Sequence, residues 1–445
     1  TRYYLDDGRK QVSTGTRTVT SYGASYTTGD VIGVALDLDA GTITFYKNGT
    51  SQGQAFSGLS GTYHPAVVTL AGGNLSVNFG QRPFVYTPPS NHLSICTQNL
   101  SDPTIADGST AMDTLLYTGN GSTQTITGLN LSPDFLWIKN RSAAFNHVLF
   151  DKLRVSNGSG GDVNGASKEL YSNTNSAQSN LGYVTLTNDG FTLGVADSSW
   201  NAANNYVAWA WDAGSSTVTN TDGTHSAQVR ANSSTGFSIS THSRTTAASI
   251  STWGHGLSAA PEFAILKPYN GAYNWIVWHK SMGNRKRIFL NSTSAGNSYS
   301  FDVWSSSSTT LGVYGTIIAG GGTALDCVTY AWAPIEGYSR FGSFEANGNA
   351  DGPFVFTGFT PKLIMTKDID SASNWNVYDT SRDTYNAADA KLSWNLSSAE
   401  STLAAVDFLS NGFKIRTNNA DMNENTRTFI YCAWAENPFK TARAR

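Results

Sequence analysis

Three short marks recur three times in the same order along the downstream part of the chain, and this repeat limits the folds available more than any other feature. The first is Pro-x-(Phe/Leu)-x-x-x-Lys. It reads Pro133-Asp134-Phe135-Leu136-Trp137-Ile138-Lys139, then Pro261-Glu262-Phe263-Ala264-Ile265-Leu266-Lys267, then Pro361-Lys362-Leu363-Ile364-Met365-Thr366-Lys367. The second opens on an asparagine 13 residues after each proline: Asn146-His147-Val148-Leu149-Phe150-Asp151, Asn274-Trp275-Ile276-Val277-Trp278-His279 and Asn374-Trp375-Asn376-Val377-Tyr378-Asp379. The third is Ala208-Trp209-Ala210, Ala331-Trp332-Ala333 and Ala433-Trp434-Ala435. A proline enters a strand where its missing N–H is tolerated. An apolar strand follows and ends at lysine, a turn at Asn leads into an aromatic strand, and a last strand seats Trp between small residues. Each unit has about a hundred residues, enough for one β-sandwich. The units are expected at 113–220, 221–337 and 338–445, after a linker at 90–112 and a first domain at 1–89.

Composition agrees with an all-β chain. Helical periodicity is nearly absent, and turn residues interrupt alternating stretches every ten residues or so. Charged residues are 14% of the chain, and the formal net charge of −3 gives no attraction to nucleic acid or an anionic membrane. No run of about 18 apolar residues occurs, so no membrane insertion is expected. Cys96, Cys327 and Cys432 fit neither a disulfide framework nor a zinc pattern, and read as small buried hydrophobes. The chain opens at Thr1, and a longer gene product is expected.

In the first region, Val31 to Leu38 reads as a strand, Asp39-Ala40-Gly41 as a turn, and Thr42 to Tyr46 as the returning strand before Asn48-Gly49. His64 to Val68 and Leu75 to Gly80 read as two more. The stretch Gly29 to Gly49, the Tyr63-His64-Pro65-Ala66-Val67 strand and the ending Asn78-Phe79-Gly80-Gln81-Arg82-Pro83-Phe84 resemble the C-terminal half of a SPRY domain. The resemblance implies a partial SPRY-like sandwich whose N-terminal strands are missing; half a sandwich leaves an apolar sheet face open, so either upstream sequence lies outside this chain or something else covers that face.

The repeats resemble a domain of unassigned function in structural proteins of marine phages. The carriers are Tyr117-Thr118-Gly119-Asn120-Gly121, Pro133 to Ser142, His147 to Asp151, Asn188-Asp189-Gly190-Phe191 and Tyr206-Val207-Ala208-Trp209. A SPRY-like module often precedes that domain. The resemblance implies tandem β-sandwich, jelly-roll-like domains, a place on the tail or head of a virion made in the bacterial cytoplasm, contact with other virion proteins, and a homotrimer. It supplies no catalytic residue and no cofactor.

The residues offer no Gly-x-Ser-x-Gly elbow, His-Glu-x-x-His or phosphate-binding loop, so the chain is read as a non-enzyme without cofactor or metal. Gly320-Gly321-Gly322 reads as a turn or loop, and Asp37 with Asp39 as hairpin polarity rather than a calcium site. Asp151, His279 and Asp379 hold equivalent positions and are expected to pair at strand ends with neighbours such as Lys152, Lys280 and Arg382. Arg285-Lys286-Arg287 reads as a solvated strand edge. Trp200, Trp253 and Trp304 have no counterparts in the other repeats and lie among Ser, Asn, Asp or Gly; they are the candidates for stacking on host glycans. The leading expectation is a tail or head fibre with a host-attachment role. The alternatives are a capsid decoration protein without a receptor and a polysaccharide depolymerase, which needs paired carboxylates in one cleft.

Overall fold

The computed structural model describes residues 2–14, 16–61, 63–68, 74–96, 99, 103–156, 165–179, 182–194 and 196–437. Nearly all regular elements are strands, as the all-β reading expects. The α-helix among the described residues is one turn, Ala420–Asn423. The chain divides into two compact units, Thr1–Ser101 and Asp102–Arg445.

In the first unit, strands Arg2–Tyr4, Arg9–Thr14 and Thr16–Ser21 form one antiparallel sheet. Ile32–Asp37, Thr42–Lys47 and Thr50–Phe56 form the other. Asn48 and Gly49 both adopt positive φ (47° and 79°), the backbone that a tight hairpin with right-twisted strands requires. The Asp37 carboxylate accepts the Ala40 N–H at 2.8 Å, so it closes the hairpin turn. Tyr4 brings its ring to 5.3 Å from both Tyr22 and Phe45, and Phe56 and Leu59 complete the cluster. The opening strands thus cover the sheet face that the SPRY comparison left open. The strands expected at 64–68 and 75–80 do not form. Neither segment finds a partner ladder among the described residues, and Val67, Val68 and Leu75 remain exposed. Alternating sequence supplies a face, but strand pairing also needs a neighbouring backbone.

In the second unit the three repeats share one topology. The inner sheet of the first runs Met112–Thr118, Asn205–Trp211, Phe135–Asn140, Val148–Asp151 and Leu170–Tyr171, all antiparallel. The second follows the same order with Phe237–Thr245, Ala324–Trp332, Phe263–Pro268, Ile276–His279 and Lys286–Phe289. The third has Ser339–Glu345, Thr428–Asn437, Thr360–Asp368, Asn376–Asp379 and Ala388–Ser393. An outer sheet closes each sandwich: Gln124–Thr127, Gly190–Leu193 and Gly182–Leu186 in the first; Ile250–Gly254, Thr310–Tyr314 and Trp304–Ser306 in the second; Phe354–Phe356, Gly412–Ile415 and Ser401–Leu409 in the third. Strand Val218–Asn220, upstream of the expected boundary at 220, bonds into the second sandwich.

The Pro-mark and Asn-mark strands at the middle of each inner sheet are buried on both faces. In Phe135–Asn140, Leu136 and Ile138 enter their own sandwich, while Phe135 and Trp137 enter a second core shared by all three repeats. Double burial explains why these strands read as continuous apolar runs rather than alternations. At the centre, Trp211, Trp332 and Trp434 meet edge to face. Their ring centroids lie 5.6–5.9 Å apart and their planes cross at 66–72°. Three near-equal contacts define an approximate threefold axis, so the sandwiches are tandem in sequence and clustered in space. The third sequence mark needs a correction here. Sheet register pairs Trp211 with Phe135, Trp332 with Phe263 and Trp434 with Leu363, so the counterpart of Trp332 is Trp211 rather than Trp209. The first repeat reads Ala-Trp-Ala-Trp, and only register distinguishes its two tryptophans.

Replacing Trp332 by Ala opens a cavity where three repeats meet. The expected loss is about 3–5 kcal/mol of unfolding free energy for the second unit, read by urea denaturation; a loss under about 1 kcal/mol contradicts the central role of the triad.

Candidate functional site

The three tryptophans singled out from sequence are not surface groups. Trp200, Trp253 and Trp304 are 1%, 0% and 0% exposed. Trp200 lies in the first sandwich core, where its carbonyl accepts the Tyr117 hydroxyl at 2.7 Å. Trp253 and Trp304 lie inside the second sandwich, the former 4.3 Å from the His242 ring and the latter 6.4 Å from Trp278. None offers a ring face to a sugar, and the glycan-stacking assignment of these residues is withdrawn. Polar neighbours in sequence marked the turns around them, while the rings point inward.

The chemistry-bearing residues of the repeat converge instead on the contacts between sandwiches. Each second-mark asparagine is clasped by another asparagine. Asn173, Asn291 and Asn395 donate their side-chain amides to Asn146, Asn274 and Asn374 at 2.8–2.9 Å. They accept the next backbone N–H, from His147, Trp275 and Trp375, at 2.9–3.0 Å. These clasp residues went unnoticed in the sequence, although each sits three residues after Leu170, Ile288 or Leu392.

The clasp fixes a loop whose carbonyl, two residues further on, receives a lysine from the neighbouring repeat. Lys139 donates to Ser397, Lys267 to Asn175 and Lys367 to Thr293, at 2.9–3.3 Å. The direction is cyclic: first repeat to third, second to first, third to second. Two indoles follow the same circuit, with Trp275 Nε1 donating to the Tyr171 carbonyl and Trp375 Nε1 to that of Phe289. All three lysines are fully buried. Loss of hydration on burial lowers Lys139 and Lys367 to about 8 and Lys267 to about 7.

Asp151, His279 and Asp379 form a second circuit. Asp151 pairs with Arg154 at 2.7 Å and accepts the Tyr330 hydroxyl of the second repeat at 2.7 Å. Asp379 pairs with Arg382 at 2.6 Å and accepts Trp209 Nε1 of the first repeat at 3.0 Å. In the second repeat His279 replaces the aspartate. Its Nδ1 accepts the Ser281 N–H, which leaves the proton on Nε2 to reach the Tyr431 carbonyl of the third repeat at 3.1 Å. Tyr330, Trp209 and Cys432 are register equivalents. A histidine therefore occurs opposite the one repeat whose short thiol replaces a long donor. Burial lowers His279 to about 4, which keeps the ring neutral. Ion pairing at the strand ends agrees with the sequence reading for Asp379 and Arg382. Lys152 instead pairs with Asp134 and Lys280 with Glu262.

Further contacts tie the repeats together. Arg141 and Arg382 share Glu400, Lys362 meets Asp113, and Trp137 stacks on Trp394 at 4.3 Å. In the basic run, Arg285 pairs with Asp302 in solvent, while Arg287 is half-buried over the Phe289 ring at 4.7 Å. Cys327 and Cys432 are buried free thiols. Among the described residues no group of three or more His, Cys, Asp and Glu could hold a metal ion, and no helix is long and apolar enough to cross a membrane. The arrangement acts as a lock, because its donors and acceptors are engaged with one another. Exposed aromatic side chains in this unit lie elsewhere: Phe301, Phe354, Phe356 and Tyr385.

Two outcomes follow from this geometry. Asp151→Ala strands the buried Arg154 guanidinium and costs about 3–5 kcal/mol, whereas Asp302→Ala, at an exposed pair, costs less than about 1 kcal/mol; equal losses in chemical denaturation contradict the difference in burial. For the lysines, the folded pKa lies below the unfolded value of 10.5. Between about 7 and 10.5 the unfolded chain therefore holds more protons, so stability rises with pH across that window and is level below it. The stability of the unaltered chain relative to Lys267→Met rises from pH 7 to 10; a constant difference contradicts the burial argument.

A profile of the SPRY domain matches residues 2–82. Over 88 residues the chain is 41% identical to the E3 ubiquitin-protein ligase RKP of Arabidopsis thaliana, covering 19% of this chain and 7% of that protein. It is 42% identical over 85 residues to Ran-binding protein 10 of Danio rerio and to Ran-binding protein 9 of Homo sapiens, again 19% of this chain and 14% and 11% of theirs. The chain thus spans a small part of the length of these relatives. One profile, described as "Domain of unknown function (DUF7483)", matches residues 107–438 and so takes in all three sandwiches together. The chain carries an N-terminal SPRY domain and belongs to the DUF7483 family.

Proposed function

We propose that this chain is a structural and attachment protein of a bacteriophage virion, a tail or head fibre component in which the second unit is a rigid threefold scaffold and its outer surface meets the host. The observation that carries this reading is the division of labour in that unit. The repeat-borne Lys, Asn and Asp or His groups hold the sandwiches together, while Phe354 and Phe356 stand side by side on the outer sheet of the third sandwich, 46% and 53% exposed. Residues two apart on a strand share a face, so the two rings form one aromatic step. Lys414 pairs with Phe354 across the strands, and the Arg340 guanidinium lies 5.4 Å from the Phe356 ring. Lys414 is held by Asp351 at 2.6 Å, and aromatic faces beside the Arg340 guanidinium suit acidic surface polysaccharide.

The phage assignment rests on the sequence resemblance of the repeats. The relatives that match the first unit are named as a ubiquitin ligase and as Ran-binding proteins, and we read that unit as a protein-docking module without carrying over their partners. A homotrimer is expected from the resemblance. Our reading departs from it, because one chain already supplies three sandwiches about an axis, and a monomer of 47.6 kDa suffices. Burial of Trp200, Trp253 and Trp304 favours a second reading, a decoration protein without a receptor.

Fluorescently labelled chain applied to bacterial cells tests the attachment role. Binding is expected, with a loss of about tenfold or more in Phe354→Ser/Phe356→Ser while the melting temperature is unchanged. Binding that survives the double change removes the aromatic step from the proposal, and failure to bind any strain favours decoration. Mass by light scattering reads the assembly state: about 48 kDa supports the monomer, and three times that value restores the homotrimer.

A further inference from the structure

The second sandwich differs from its two siblings at one place. In the first repeat Tyr117 lies opposite Tyr206 across the strands, and the rings stack at 5.0 Å. In the third, Phe344 and Phe429 do the same at 5.4 Å. The register-equivalent pair in the second repeat is His242 and Cys327. Two residues beyond, where the siblings carry Gly119 and Ala346, the second repeat carries Arg244. A stacked aromatic pair has thus been exchanged for two smaller side chains and one long cation inside a closed sandwich.

Arg244 is 4% exposed and, among the described residues, has no carboxylate partner, unlike the buried Arg154 and Arg382. Its Nη2 donates to the Val313 carbonyl at 3.1 Å, while Nε and Nη1 have no partner among the described residues. Both His242 ring nitrogens and Trp253 Nε1 are also buried with no partner among the described residues, and the His242 and Trp253 rings stack at 4.3 Å. His225 lies beyond, 6.2 Å from His242. Guanidinium and indole offer only donors, while burial beside Arg244 lowers His242 to about 3, so its neutral ring donates from one nitrogen. A guanidinium stays charged at any pH a folded protein meets, so an unpaired one in an apolar interior costs several kcal/mol. The siblings show that sandwich packing needs none of these groups.

We infer that the interior of the second sandwich binds a small monovalent inorganic anion, of the halide class, against Arg244 with His242 and Trp253. The anion supplies the missing negative charge and accepts N–H bonds that no protein oxygen takes. A halide fits better than a planar oxyanion, because the free Nε and Nη1 do not form the two-pronged edge that grips two oxygens.

The test is bromide. Crystals of the full chain grown or soaked in sodium bromide are expected to show an anomalous peak within hydrogen-bonding distance of Arg244; water alone at that place, or no peak, overturns the assignment. In solution, replacing gluconate by chloride at constant ionic strength should raise the melting temperature by about 2–4 °C once chloride is in tenfold excess over its dissociation constant. That rise should vanish in Arg244→Met. A rise that persists in the variant, or its absence in the unaltered chain, overturns the proposal. If Arg244→Met does not fold, the sibling-like variant His242→Tyr/Cys327→Tyr/Arg244→Ala gives the same comparison.

Discussion

The edge-to-face contact among Trp211, Trp332 and Trp434 is the interaction on which the second unit depends. Three indoles cannot all stack face to face around an axis, but each can present an edge to the next, which suits the ring quadrupole. That geometry requires the closing strand of every sandwich to reach the axis in the same register. The requirement propagates outward. The closing strand is flanked by the Pro-mark strand, that strand by the Asn-mark strand, and so each inner sheet is placed by one central residue.

Polar contacts then fix which neighbour each sandwich meets. A hydrophobic axis alone would tolerate sliding, since burial is non-directional. Lys139, Lys267 and Lys367 each require a particular carbonyl on the next loop, and the asparagine clasp holds that carbonyl in place. Burying three lysines is costly, as their lowered pKa values record. Their cyclic bonds exclude other orders of packing, because a misplaced lysine would lie buried and unbonded. Where one partner changed, its counterpart changed with it: Cys432 cannot reach across, and His279 takes a backbone carbonyl instead.

Much of this was legible in the sequence and some was not, for physical reasons. The Pro, Asn and Trp marks announced the repeat, and their apolar runs gave the doubly buried strands. The terminal lysine read as a strand end, since nothing local says that its ammonium is inside. Asn173, Asn291 and Asn395 were missed because they stand at different distances from the asparagines they clasp. Ala-Trp-Ala-Trp in the first repeat admitted two registers, and only pairing with Phe135 chose Trp211. Trp200, Trp253 and Trp304 were misread because Ser, Asn and Gly neighbours report a turn, not its depth. In the first unit, alternation at 64–68 predicted a strand for which the described residues supply no neighbour.

Hydrogen exchange in the full chain carrying Trp434→Ala is the most direct measurement of whether the three sandwiches are one cooperative body. Concerted loss of protection is predicted in the closing strands Asn205–Trp211, Ala324–Trp332 and Thr428–Asn437, although only the third carries the change. Loss confined to Thr428–Asn437 and its own sandwich, with the other two unaffected, would contradict the account and leave three independent domains.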